Sequence, residues 1–376
     1  MGNKNNKIIP FRHPGRQKRR LLVFLVILGV LILLVSFFAI DHGKNWDALS
    51  RYFTYGDKSL EIPMTVNAKK LAELDGNLVV ADTERIILYN EDGKEQFVAS
   101  VAMNSPVLDT TKHRILAYDA GGKTLLLMDS NGTSLLKDAP TGRVLHADLA
   151  SDGSMCYTAT SDRYKSQLQV YDRKQLLCYT VYSVKQHFTA CAVAPGADHV
   201  CAIALGTEDG SFRSEAMIYR TDRKDPVAQV PLGNQLIYDV VFWGKDTICA
   251  LGETSMVIFT TEGEILGTYP CDNVVAFDLE GDSFAALVYE AEGGYELVTV
   301  DKQGKELGRV SMDRFYGLDV AGKYVARLDE TGMVLSGKGM QTWSESSDGM
   351  RATGVLVCEN GTAFLVDSQE ARLFLP

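Results

Sequence analysis

From residue 69 to the end of the chain, short apolar runs alternate with polar punctuation. Runs rich in Val, Ile, Leu, Tyr and Phe are broken every few residues by Gly, Asp and Asn. That is the pattern of half-buried strands joined by tight turns, and no amphipathic helical period persists for three turns. One phrase keeps returning: an apolar strand, a turn, then a polar strand. It stands at residues 87–94, 127–133, 258–264 and 299–305, each with a turn glycine (Gly93, Gly132, Gly263 and Gly304) suited to positive φ. Two variant copies, beginning at Tyr171 and Tyr219, fill the wide gap between Gly132 and Gly263. The mean spacing is about 40 residues, which with four strands per unit is the signature of a β-propeller blade.

Laid out at that period, units begin near residues 69, 105, 143, 187, 236, 272, 314 and 350. The last is short and supplies only three strands, at 354–358, 362–366 and 372–375. An orphan strand at 60–66 precedes the first unit. Together the two chain ends make one full blade, which closes the ring and removes its open edges. The expectation is an all-β, eight-bladed propeller, or a seven-bladed one if the unit at 314–344 merges with the last.

The beginning of the chain follows another pattern. Residues 21–40 are twenty uncharged, apolar residues, and twenty residues at about 1.5 Å each match a bilayer core of about 30 Å. Lys4, Lys7, Arg12, Arg16, Lys18, Arg19 and Arg20 precede them, with no acidic residue. Basic residues stay on the cytoplasmic side, so the pattern predicts a single-pass cell-membrane protein with residues 1–20 inside and the C-terminal domain outside. A cleaved signal peptide is the rival reading. It expects a shorter apolar run and a small residue where Phe37 stands. In the juxtamembrane stretch 41–57, Trp46, Leu49 and Phe53 share one face of a short interfacial helix, with a plain linker as the alternative. The domain plan is thus a basic tail at 1–20, a transmembrane helix at 21–40, the stub at 41–57 and an extracytoplasmic propeller at 58–376.

Charge narrows the partners. Beyond the anchor stand 31 Lys/Arg against 48 Asp/Glu, a net charge of −17. A surface of that sign repels phosphate-rich polymers, which excludes nucleic acid as a partner. Cations, basic peptides and neutral glycans remain. The seven cysteines show no CxxC and no zinc-like spacing. Cys191 and Cys201 are symmetric about a turn at Gly196, so either a disulfide across a hairpin or two buried thiols fit the spacing.

The inner strands carry a recurring Asp: Asp109, Asp148, Asp239, Asp278 and Asp319. Asp148 and Asp239 lie five residues before the next turn glycine, Asp278 and Asp319 three, so these four share strand parity. Two readings follow: a ring of channel-mouth carboxylates for a cation or basic peptide, or carboxylates capping backbone N–H groups between blades. His146 and His187 also fall near the starts of inner strands, where a hydrolase or lyase could use them as general bases and an ordinary propeller would bond them to a neighbouring blade. The loop at 206–213, with Glu208 and Asp209 at its tip, reads as the longest hairpin loop and a contact site or a solvated loop. GxSxG, P-loop and HExxH motifs are absent.

Residues 149–157, Leu-Ala-Ser-Asp-Gly-Ser-Met-Cys-Tyr, resemble the inner hairpin of WD40-type propellers, with an SPDG-like turn. The whole plan resembles quinoprotein-dehydrogenase-like and WD40-like propellers. With its basic tail, single anchor and RYFTYG stub at 51–56, the chain looks more closely like an uncharacterised family of membrane-anchored envelope proteins in Gram-positive bacteria. The TGxxxW docking pattern of quinoproteins is missing, so the resemblance carries over no quinone and no other cofactor. The resemblance adds no known activity. The expectation from the residues is a non-enzymatic module that binds the bilayer through residues 21–40 and an envelope protein or glycan through the propeller, with an envelope hydrolase or lyase at the channel mouth as the alternative.

Overall fold

Gly93, Gly132, Gly263 and Gly304 all adopt positive φ, between 71° and 86°. Three residues before each glycine, a short polar side chain folds over the turn. Asn90 Oδ1 accepts the N–H groups of Asp92 and Lys94 at 3.0 and 2.9 Å, and Asp129 and Asp301 repeat the arrangement. Thr260 does so with its hydroxyl. Asp172 bonds the N–H groups of Lys174 and Leu176 in the same way, so the variant copy at Tyr171 keeps the turn without a glycine.

The computed structural model describes residues 23–30, 49, 52, 61–63, 70–90, 92–111, 113–208, 210–347 and 351–376. The chain divides into two compact units, Met1–Gly56 and Asp57–Pro376. In the first, residues 23–30 are helical with exposed apolar side chains, and Leu49 and Tyr52 are helical too. The basic tail and most of the expected anchor and stub lie outside the described residues. Among the described residues no helix is long and apolar enough to cross a membrane.

Among the described residues of the second unit, the strands form eight antiparallel sheets in chain order. Their inner strands are Lys70–Leu74, Pro106–Thr111, Val144–Leu149, His187–Val193, Ile237–Trp243, Val274–Gly281, Phe315–Ala321 and Gly354–Val357, each within four residues of the expected start. Seven sheets have four strands. The second has three, and a lone bridge from Met128 to Ser134 stands where its fourth strand would run. In the eighth sheet the outermost strand is Glu61–Pro63, paired antiparallel with Glu370–Phe374. The two chain ends therefore share one blade, and the count is eight.

The core is divided in the same way. Eight apolar clusters each draw on two neighbouring blades, and the one joining blades eight and one closes the circle with Ile62, Leu78, Val80, Tyr89 and Phe364. Each blade buries both faces, so its middle strands read as apolar throughout, as in Val79-Val80-Ala81 and Ala285-Ala286-Leu287.

The segment at 206–213 is not a loop. The strands His199–Glu208 and Ser211–Arg220 pair through to Glu208 and Ser211. Cys201 lies opposite Ala192, and Cys191 opposite Ala202, so the two thiols lean to opposite faces of their sheet and enter different clusters. None of the seven cysteines forms a disulfide.

Candidate functional site: the channel wall

Four of the five recurring Asp side chains reach sideways to the next blade. Asp109 Oδ2 accepts the Leu149 N–H at 3.0 Å, and Asp148 Oδ2 accepts that of Val193 at 2.8 Å. Asp278 Oδ2 accepts the Val320 N–H at 2.8 Å, and Asp319 Oδ2 that of Val357 at 2.6 Å. Each bond ties inner strand to inner strand, across the junctions two–three, three–four, six–seven and seven–eight. Other groups serve two further junctions. The Thr110 hydroxyl donates to the Glu73 carbonyl at 2.6 Å, and the Trp243 indole N–H to the Leu279 carbonyl at 2.8 Å.

Burial raises the pKa of these acids. It pushes Asp109 up to about 7 against the opposing hydrogen bonds from Leu149 and Thr110, and Asp278 up to about 6. Asp148 and Asp319 are also raised by burial, then by a neighbouring carboxylate, Asp109 and Asp278 respectively.

Asp239 is the exception. The four latching residues pair with the second or third residue of the following strand, whereas Asp239 pairs with the fifth, Leu251. That places it nearer the other end of the channel, where no N–H of blade six meets it. Its Oδ1 accepts the N–H of Val240 at 2.7 Å and lies 3.2 Å from His146 Nε2. His146 belongs to blade three, so this contact passes over blade four. On its other side, His146 Nδ1 lies 3.4 Å from the backbone nitrogen and 3.9 Å from Sγ of Cys191. Burial disfavours the charged imidazole, but the bonds to Asp239 and Cys191 outweigh it and hold His146 well above 6.5. Burial likewise opposes the Cys191 thiolate, yet contacts with Cys156 and His146 bring that thiol down to about 6. Cys156 is driven the other way, by burial first and Cys191 second.

A thiol, an imidazole and a carboxylate in a row can activate a nucleophile. Here the thiol is fully buried, so the row has no open face at sulfur. His187, the other candidate, is exposed at the start of its strand, four residues before Cys191 and away from this row.

Where the inner strands turn outward, the channel opens into a cavity of about 510 Å³ lined by Asp109, Asp148, Trp243, Glu280 and Asp282 among others. Glu280 is exposed to this opening, yet desolvation among the inner strands raises it well above its usual value, followed by Asp278, Asp109, Asp319 and Asp239. The recurring Asp positions do not include Glu280, although it follows Asp278 by two residues and so repeats its parity. The spacing sets Cys191 against Cys201, and its contact with His146 lies between blades, where no local pattern records it. Among the described residues, no three His, Cys, Asp or Glu side chains are grouped to hold a metal ion.

A ring of eight blades, clasped by its own termini and latched by carboxylates, defines a β-propeller. Two solved propellers share this plan. The C-terminal WD40 domain of Sif2 matches with a TM-score of 0.58 and 11% identity, over 85% of this chain and 97% of that one. BamB from Moraxella catarrhalis matches with a TM-score of 0.52 and 13% identity, over 84% and 98%. At such identities the likeness is one of fold. By sequence, the chain belongs to a family of unknown function, DUF5711, whose model matches residues 53–333. No functionally curated protein matches it.

Proposed function

We propose that this chain is a membrane-anchored, extracytoplasmic propeller that serves as a non-enzymatic binding platform for an envelope protein or glycan. The observation that carries the reading is the use made of the inner-strand acids: Asp109, Asp148, Asp278 and Asp319 are each spent on a backbone N–H of the next blade. Groups so engaged tie each blade to the next and hold the frame rigid. The anchor and its orientation are supported by the apolar run at 21–40 and the basic residues before it. The propeller then faces the envelope, where a rigid ring offers broad faces to a partner.

The test is cross-linking in intact native membranes, followed by affinity purification of the tagged protein and mass spectrometry. A near-stoichiometric protein or glycan partner supports the platform. Absence of any enriched partner counts against it.

A second reading, an envelope hydrolase or lyase, draws on the Cys191–His146–Asp239 row. It requires the Cys191 thiol to be reachable in the folded protein. Failure of iodoacetamide to label it under native conditions would dismiss this alternative.

A further inference from the structure

In blades three to seven the inner strand carries the same irregularity. Pairing with the second strand skips one residue close to the strand start: Leu145, Thr189, Tyr238, Val275 and Tyr316. Blades one, two and eight pair there without a skip. A bulge leaves its extra residue unpaired and re-aims its side chain, and bulges recur where a strand serves a site. In blades five, six and seven the skipped residue is large, apolar and about half exposed: Tyr238 at 48%, Val275 at 49% and Tyr316 at 51%. Phe277 stacks on Tyr238 with 6.2 Å between ring centroids. These strand starts all lie on one face of the ring, opposite the cavity described above, because each follows the loop that enters its blade.

Charge on that face is uneven. The loops and turns that border these three strand starts carry Glu253, Asp272, Glu290, Glu292, Asp313 and Glu330, all exposed. The basic residue among them is Arg314, which interacts with Tyr316. Apolar side chains ringed by unbalanced carboxylates complement a chain segment that is apolar at its centre and cationic at its flanks.

We infer that the face of blades five to seven at the start of their inner strands docks a basic peptide segment of a partner protein, with an apolar side chain seated among Tyr238, Val275 and Tyr316. The inference rests on the platform reading and adds the face and the chemistry of the partner. The flanking lysines and arginines of the segment meet the acidic rim, where exposed ion pairs are sensitive to salt.

The experiment uses the full-length chain in nanodiscs of zwitterionic lipid and a fluorescent heptapeptide with a central leucine–tryptophan pair flanked by lysine and arginine. A probe with glutamates at the flanks is the control. Fluorescence anisotropy is expected to show binding of the basic probe, preference over the acidic one of at least about tenfold, and weakening with added salt. The Tyr238→Ser/Tyr316→Ser variant is expected to bind the basic probe at least about tenfold more weakly with an unchanged melting curve. In Asp272→Lys/Glu292→Lys the preference for the basic probe falls. No binding of the basic probe, or equal binding by the serine variant, overturns the inference. A cross-linked partner that maps to blades one to three overturns this face while leaving the platform standing. Loss of any partner in native membranes sinks the platform itself.

Discussion

His146 Nε2 and Asp239 Oδ1 lie 3.2 Å apart although they belong to blades three and five. Every other inter-blade bond described for the inner strands joins immediate neighbours. This one is a chord across the ring. It closes over blade four and keeps the imidazole between a carboxylate and a thiol.

The chord predicts a titration. Replacing Asp239 by Asn removes the group that most strongly favours the charged ring. Burial, the largest influence on His146, then acts with less opposition. The His146 pKa is expected to fall, read from the pH dependence of its ring resonances by NMR. The wild-type pair stabilises the fold fully below pH 6.5, and that contribution is lost as pH rises through the folded value. An unmoved resonance would show that Asp239 does not govern the ring.

The latches predict a mutational contrast. Asp319→Ala leaves the Val357 N–H without its acceptor inside the ring, at a cost of about 1–3 kcal/mol. Asp319→Asn keeps an acceptor oxygen and is expected to lose less. Denaturant melts of the two variants decide it. Equal losses would mean that the charge, and not the hydrogen bond, matters at this junction.

Stability is also expected to depend on pH. Asp109 and Asp278 are raised from 3.8 to about 7 and about 6. In that window the folded chain holds protons that the unfolded chain has released, so their contribution is greatest below 3.8 and fades as pH rises through 6 to 7. Melting temperatures should therefore decline between pH 5 and pH 8, and the double variant Asp109→Asn/Asp278→Asn should flatten that slope.

Thiol chemistry gives a direct count. Cys178 is exposed and the other six cysteines are buried. Under native conditions a thiol reagent should label Cys178 within the time that leaves the others untouched. Unfolding should release all seven. Rapid labelling of Cys191 would revive the enzymatic alternative.

The clasp is the fourth site for mutation. Ile62 is fully buried in the cluster that joins blades eight and one. Ile62→Ala is expected to cost about 2–5 kcal/mol. Loss of the whole strand Glu61–Pro63 exposes the edge of Glu370–Phe374 and should shift the protein toward aggregates in size-exclusion chromatography.

The blade plan was legible because it is written locally. Gly93 and Asn90 set a turn within four residues, and the period of such turns counts the blades. Strand parity also placed the Asp residues on a common side, but parity says nothing of distance along a strand. Asp148 and Asp239 have the same offset from a glycine, yet one latches a neighbour and the other crosses the ring. The turn after Asp148 takes up five residues, 150–154, whereas the strand of Asp239 runs on to Trp243. The Cys191–His146 contact and the bulges at Tyr238, Val275 and Tyr316 depend on partner strands, and no single stretch of sequence records them. The segment at 206–213 misled because its Gly and Asp suggested a loop where two long strands simply continue.

The clasp has a consequence for how the protein comes into being. Glu61 pairs with Arg372, about 310 positions later, so the ring cannot shut until residue 372 has been made. Until then each finished blade waits with one neighbour missing. A ribosome that stalls late leaves an open crescent, and quality control would meet that crescent long before any partner does.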